Sequence, residues 1–457
     1  MRINQAKFPL KTIATSGLHQ EKRTRSYYGY IVVICIGLVF QFSAIGQEKH
    51  DSIPEVKRSM GQKIDTNRIY MSQNKSRRDV FQKDSIQETP NDVSPLDIGS
   101  NRGIFILSAN RLLQLRILGS IRSNFHYSDQ ILENMNTFNP YEIPTVNNRS
   151  TPVYFAGFNQ SRLGFEVTRR TRSRGDIFIR LEADFKGSND AFRIRHAYGE
   201  IGRFLFGMTW SLTNNVGYQP ATVSLDGPAG GIGLRTPQIR YTQRLNDRFG
   251  MSFGIEYSKP QIRIPDDIVA SAVQVLPDFT TRFTYNSNKL SLRFAGAFTT
   301  ISGRVLNNDL KSINGYLITL AGKISSLQGG DLYFSVGTGN ATSHFFDTFN
   351  GKNNDLMFDP EDRVFKGIQE SAAYLAYGHA LPKNLSASLA LGVAALSNRD
   401  FQLGYDFDYS YNALLNLFWE PANGARLGVE YANGKRYDKG GYDGTANRVS
   451  LLMYYDF

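Results

Sequence analysis

From residue 112 onward the chain alternates. In 112–127, Leu113, Leu115, Ile117, Ile121, Phe125 and Tyr127 occupy odd positions, and Gln114, Arg116, Ser120, Arg122, Asn124 and His126 occupy even ones. Successive side chains of a strand point to opposite faces, so this stretch is a strand with one apolar face and one polar, basic face. The pattern returns at 162–168, where Leu163, Phe165 and Val167 alternate with Arg162 and Glu166, and at 176–185, where Ile177, Ile179 and Leu181 alternate with Arg180, Glu182 and Asp184. It continues at 191–202, 203–211, 236–245, 249–257, 278–286, 289–300, 313–325, 330–340, 370–380, 384–397, 407–419, 425–435 and 446–457, giving sixteen candidate strands. Short polar links such as Asn286-Ser287-Asn288 and 421–424 read as tight turns. The longer links 128–152, 212–235, 259–276 and 341–368 read as loops on the opposite side.

The spacing suits strands of about 9–11 residues joined alternately by short turns and long loops, as in a transmembrane barrel. A soluble sandwich or propeller also alternates, with its apolar face turned inward. Three features favour the membrane. The polar parity carries Arg, Glu and Asp together, as a wet lumen would. Aromatics gather at strand ends on the apolar parity: Phe125 and Tyr127, Phe283 and Tyr285, Tyr409 and Tyr411. The chain also ends on a strand whose last residue is Phe457, which resembles the C-terminal insertion signal of Gram-negative outer-membrane proteins and implies a partner in the barrel-insertion machinery. The predicted fold class is all-β: a transmembrane antiparallel β-barrel of about 16 strands, bathed in outer-membrane lipid, with a polar periplasmic tail before it.

Composition sharpens the ends of the chain. Its 457 residues carry a net charge of +11 and a mean hydropathy of −0.34. Residues 1–26 hold Arg2, Lys7, Lys11, Lys22, Arg23 and Arg25 against Glu21, followed by the apolar run Tyr30–Phe40 and the small residues Ser43, Ala44 and Gly46. That is a secretory signal pattern over residues 1–46, the competing reading being an N-terminal membrane anchor. Ile34 before Cys35 is not small, so lipidation is rejected. Removing 1–46 takes away six basic residues and one acidic residue and leaves +6. Cys35, the chain's one cysteine, leaves with it, so no disulfide can form. Residues 47–102 contain only the aromatics Tyr70 and Phe81 and read as a mobile or weakly helical tail. The barrel is expected over 103–457.

Within 160–241 the chain reads QSRLGFEV, IRLEADF, FRIRHAYGEIG, FGMTWS, LDGPAGG and PQIRYTQRL. This ordered set resembles the DcaP-like porin family, with the phosphate-selective porins a weaker match. The resemblance implies trimeric outer-membrane channels for small, mostly anionic solutes, with a periplasmic N-terminal segment that can form a coiled coil. Residues 48–102 occupy that place without a sustained heptad.

A pore has a lining rather than a catalytic residue, and no enzyme activity or cofactor is expected. The lumen parity carries Arg116, Arg162, Arg180, Arg193, Arg195, Arg240, Arg282 and Arg293. A guanidinium binds carboxylate or phosphate bidentately and stays charged, so an arginine array favours anions over cations. The alternative is that these arginines pair with Glu166, Glu182, Asp184 and Glu200 and brace the wall. The glycine- and proline-containing link 212–235 is a candidate inward-folded constriction loop, with Asp226 facing the basic wall; an outward loop is the alternative. The six His form no metal-ligand spacing, and His196 is read as packing in the wall. There is no Walker A, and +6 spread over the mature chain is no nucleic-acid footprint. The competing functions are an outer-membrane barrel lipase or deacylase, which needs a Ser–His pair at the membrane edge, and a structural or adhesive barrel.

Overall fold

The computed structural model describes residues 92–457, apart from 147–148, 172–174, 265–269, 306–310 and 328. The expected signal and most of the expected tail lie outside the described residues.

Sixteen antiparallel strands close into one barrel. They are Leu113–Ser128, Val153–Arg169 (interrupted at 158–161), Ile177–Asp184, Arg193–Ile201, Phe204–Trp210, Arg235–Arg244, Phe249–Glu256, Ala270–Asn286 (interrupted at 275–277), Leu290–Val305, Lys311–Leu327, Gly330–Asn340, Gln369–Leu381, Leu385–Ser397, Phe407–Ala422, Ala425–Asp438 and Asp443–Asp456. Each pairs with its sequence neighbour, and the first pairs with the last from Ser120↔Asp456 to Ser128↔Arg448. Phe457 N donates to Gly119 O at 2.9 Å and Gly119 N to Phe457 O at 3.1 Å, so the C-terminal aromatic fastens the seam. A short strand, Ile104–Leu107, continues the ladder below it on the first strand.

Every strand anticipated from periodicity is present. The differences lie at the ends. Leu290–Val305 and Lys311–Leu327 run 16 and 17 residues, past the roughly 10 that a bilayer needs, because pairing persists where lipid no longer demands an apolar parity. Ala270–Gln274 pairs with Ile301–Val305, so part of the link 259–276 is strand; Pro277, which has no N–H to give the ladder, stands at its interruption. Residues 92–102 also depart from the expected mobile tail. Asp92, Leu96 and Ile98 are buried, with Leu96 packed against Val223, Phe418, Leu452 and Tyr454.

The burial pattern is inverted relative to a soluble protein. Ile121, Phe206, Ile239, Phe253, Phe294, Ile318, Leu391, Leu415 and Val449 project outward and are exposed, whereas Arg122, Arg293 and Arg448 are almost wholly buried inside. An apolar outer band round a charged interior is stable only with lipid outside, which removes the sandwich alternative. Short turns such as Gly202–Arg203 lie at one end and long loops at the other. At the long-loop end, Phe345, Phe346 and Phe349 of 341–368 pack with Ala229 and Ile232 of 211–234, with Tyr141 and with Phe407. Above them Ile262–Arg263, Leu356–Asp359 and Val364–Gly367 form a small separate sheet.

Ile318 lies midway along its strand on the outer face. Ile318→Arg is expected to destabilise the inserted barrel by about 2–4 kcal/mol. Urea titration in lipid vesicles, followed by heat-modifiable migration on gels, would read this, and an unchanged midpoint would contradict the placement of that face in lipid.

Candidate functional site

Seven of the eight predicted arginines are buried and Arg193 is half-buried, and they form two groups that differ in where their counter-charges come from. The first is braced by the wall. Register sets Arg116 opposite Glu166 and Glu166 opposite Arg180 across three neighbouring strands. Arg116 meets Glu166 at 2.7 Å, and Arg180 meets Glu182 at 2.7 Å and Glu166 at 3.7 Å. Arg193 meets Asp184 at 2.7 Å. A bulge between Ile194 and His196 leaves Arg195 as the extra residue, so Arg195 and His196 both turn inward. Arg195 reaches Glu182 at 2.8 Å and Asp184 at 3.2 Å. Cross-strand pairs of this kind follow from the period of two.

The second group has no acid opposite it in the wall. Arg240 faces Leu205 and Gly254, Arg282 faces Ser252 and Ala295, and Arg293 faces Thr284 and Ala321. Their carboxylate arrives from outside the barrel sequence. Asp92 accepts from Arg282 and Arg293 at 2.7 Å each and lies 3.6 Å from Arg240. Five residues on, Asp97 meets Arg162 at 2.7 Å and Arg195 at 3.6 Å. Arg122 donates to Leu96 O at 2.6 Å, and Arg116 donates to Gly99 O at 2.6 Å. The segment before the first strand therefore runs across the lumen and is held from several sides. Burial pushes the Asp92 carboxyl up, but Arg282, Arg293 and Arg240 outweigh it and hold it far below the ordinary range. Burial opposes ionisation of Asp97 too, and Arg162 and Arg195 prevail, holding it at about 2. Stability from Asp97 is thus present above its ordinary 3.8 and is lost as pH falls toward about 2.

The link 211–234 folds inward. Asn215 donates to Ser335 Oγ at 2.8 Å, Val223 N to Asn416 Oδ1 at 2.9 Å and Ala229 N to Asn412 Oδ1 at 2.9 Å. Arg293 lies over the Tyr218 ring, 5.0 Å from its centroid. The approach to the wall needs glycine. Gly230 has φ +99°, and a Cβ there would lie 2.7 Å from Ala373 O; a Cβ on Gly392 would lie 2.2 Å from Ala229 O. Asp226 sits on this loop and lines a small cavity with Pro140, Pro228 and Asp347. Burial, with Asp226 beside it, pushes the Asp347 carboxyl well above its ordinary range. Burial lowers the Lys186 ammonium to about 8, with Asp226 opposing.

Periodicity singled out the eight arginines, and length and glycine content singled out the link 212–235, but neither pointed to Asp92 and Asp97, which lie in the polar tail. The available signal was the island Val93, Leu96 and Ile98 flanking two aspartates in NDVSPLDIG. It also missed Arg235, whose guanidinium stacks 3.6 Å above the Trp210 ring. The Ser–His pair that a lipase would need has a near counterpart in His126 Nδ1 and Ser450 Oγ, 2.9 Å apart. Both are about 1% exposed and face the lumen, out of reach of lipid. Among the described residues no group of His, Cys, Asp and Glu could hold a metal ion.

A closed sixteen-stranded barrel with a lipid-facing belt and a charged interior is an outer-membrane channel of the porin type. The chain belongs to the DcaP outer membrane protein family, whose model matches residues 100–457, and its place is the outer membrane of a Gram-negative bacterium. It is similar to the outer membrane channel DcaP of Acinetobacter baumannii, with 20% identity, a TM-score of 0.66, and coverage of 77% of this chain and 99% of that one. An anion-selective porin from Comamonas acidovorans matches at 14% identity and TM-score 0.53, over 76% and 100% of the two chains. OmpF of Salmonella typhi matches at 10% and 0.52, over 78% and 100%. These likenesses show the fold. No curated protein sequence matches the chain.

Glu182 answers two arginines within 2.8 Å and is buried. Glu182→Gln removes the nearest carboxylate of both Arg180 and Arg195, whose remaining acids are Glu166 at 3.7 Å and Asp184 at 3.2 Å, and should cost about 3 kcal/mol. A lowered unfolding midpoint is the expected result; an unchanged midpoint would show the array to be hydrated rather than paired.

Proposed function

We propose that this protein is a passive channel for small anionic solutes, carboxylates or phosphates, and that it works as a homotrimer. The carrying observation is the arginine array on the lumen parity, with Arg162, Arg180, Arg193, Arg195 and Arg116 on one side and Arg240, Arg282 and Arg293 on the other. Ion pairing does not cancel such an array for a passing anion. A guanidinium has five N–H donors, and one carboxylate partner leaves several of them to a second acceptor. Arg193 keeps about two-fifths of its side chain exposed while bound to Asp184. The inward loop 211–234 narrows the path and brings solute close to the wall, where the field of a low-dielectric pore is strongest. The trimer rests on the family resemblance and on no contact within the chain.

Anions of moderate size with planar, bidentate groups are the solutes such a lining suits. Arg193, Arg195 and Arg240 are the residues assigned to selectivity, and Asp226 is assigned to the constriction, where it disfavours anions that cannot reach an arginine.

Reconstitution in planar bilayers under a salt gradient tests the reading. Discrete steps with an anion-biased reversal potential are expected, and replacing Arg193, Arg195 and Arg240 together by Ala should shift that potential toward zero. A cation-biased potential in the unmodified protein would refute anion selection. An unchanged bias in the triple variant would leave those three residues as wall braces only.

A further inference from the structure

The two arginine groups are filled differently, and the difference has a functional reading. The wall supplies acids to the first group through its own register. It supplies none to Arg240, Arg282 and Arg293, whose cross-strand neighbours are Leu205, Gly254, Ser252, Ala295, Thr284 and Ala321. Three buried guanidiniums without wall acids are a prepared anion site, and Asp92 sits in it. Arg282 Nε remains without a hydrogen-bond partner beside it, so the site has donor capacity that one aspartate does not use. Asp92 belongs to a segment without regular secondary structure beyond one short turn, whose grip on the lumen runs through the Asp92 and Asp97 carboxylates, the buried Leu96 and Ile98 side chains and the backbone carbonyls of Leu96, Gly99 and Arg102. The two carboxylates among these contacts sit on guanidiniums and can be exchanged there for other carboxylates.

We propose that Arg240, Arg282 and Arg293 form a binding site for a carboxylate of permeating solute, and that Asp92 holds this site as a built-in competitor until solute displaces residues 92–98. The proposal rests on the anion-channel reading above. Asp97 marks the second point of exchange, on Arg162 and Arg195. A solute with two carboxylates can replace both aspartates in turn, whereas a monocarboxylate replaces only one.

The test uses the full chain in planar bilayers with succinate as probe. Asp92→Asn with Asp97→Asn keeps the shape of the segment and removes both competing charges. Its apparent affinity for succinate should rise by roughly tenfold, the gain expected when a site occupied most of the time becomes free. Because the variant leaves three arginines without a carboxylate and can fold poorly, a second measurement keeps both aspartates. Leu96→Cys, in a Cys35→Ser background, places a single thiol where the side chain is 5% exposed. Succinate should speed its alkylation by a maleimide and sorbitol should not. Equal succinate affinity in variant and wild type overturns the proposal. So does a variant with tighter binding when labelling ignores succinate, since the segment would then act as a fixed charge. Both failures leave the anion bias of the wild-type channel intact. Loss of that bias in wild type and variant alike would instead overturn the channel reading and this proposal with it.

Discussion

Lipid offers nothing to a backbone N–H or C=O, so a sheet in a membrane must pair every strand and close on itself. Closure here depends on the first and last strands meeting in register, with Phe457 completing the ladder on Gly119. The rest follows from that ring. Closure divides the side chains of every strand into an outer set and an inner set, and the outer set must be apolar. The polar half of the chain is then confined to a narrow interior, where its charges meet one another in place of bulk water. The arginine–carboxylate lattice is the result: once inside, each guanidinium needs an acceptor, and the period of two decides which acids lie opposite.

The inner lattice is uneven, and that unevenness is informative. Where acids and arginines alternate across strands, as in Arg116, Glu166 and Arg180, the wall is self-sufficient. Where arginines stand among Gly, Ala, Ser and Thr, the wall depends on something that is not wall. In this chain that something is a stretch of the segment preceding the barrel, together with the inward loop, whose Asn214 carbonyl also takes a bond from Arg293. The interior is thus a composite of strands, one loop and one incoming strap.

The strands were legible in the sequence because each carries its own evidence, a local alternation of period two that needs no knowledge of partners. The orientation of Arg116, Arg162, Arg180, Arg240, Arg282 and Arg293 came with it. Arg195 and His196 show the limit: parity allows only one of two adjacent residues to face inward, and the bulge that admits both is visible only in the pairing with Glu182 and Ala183. Asp92 and Asp97 were illegible for another reason. Their partners lie 65 to 201 residues away, and a polar stretch has no periodicity to show that it will be buried. The inward loop was half legible. Its length and glycines permitted the fold, but the small residues that admit it, Gly392 and Ala373, lie on strands far downstream.

That last dependence sets an order of assembly. The loop 211–234 is held by Ser335, Asn412, Asn416, Glu430 and Arg448, all of which follow it in the chain. It cannot reach its place while the C-terminal strands are still unpaired. Contacts of such sequence separation form late and slowly. The inward loop is therefore the last part of the interior to be built, and a barrel newly closed lacks the contacts that the loop makes with Ser335, Asn412 and Asn416.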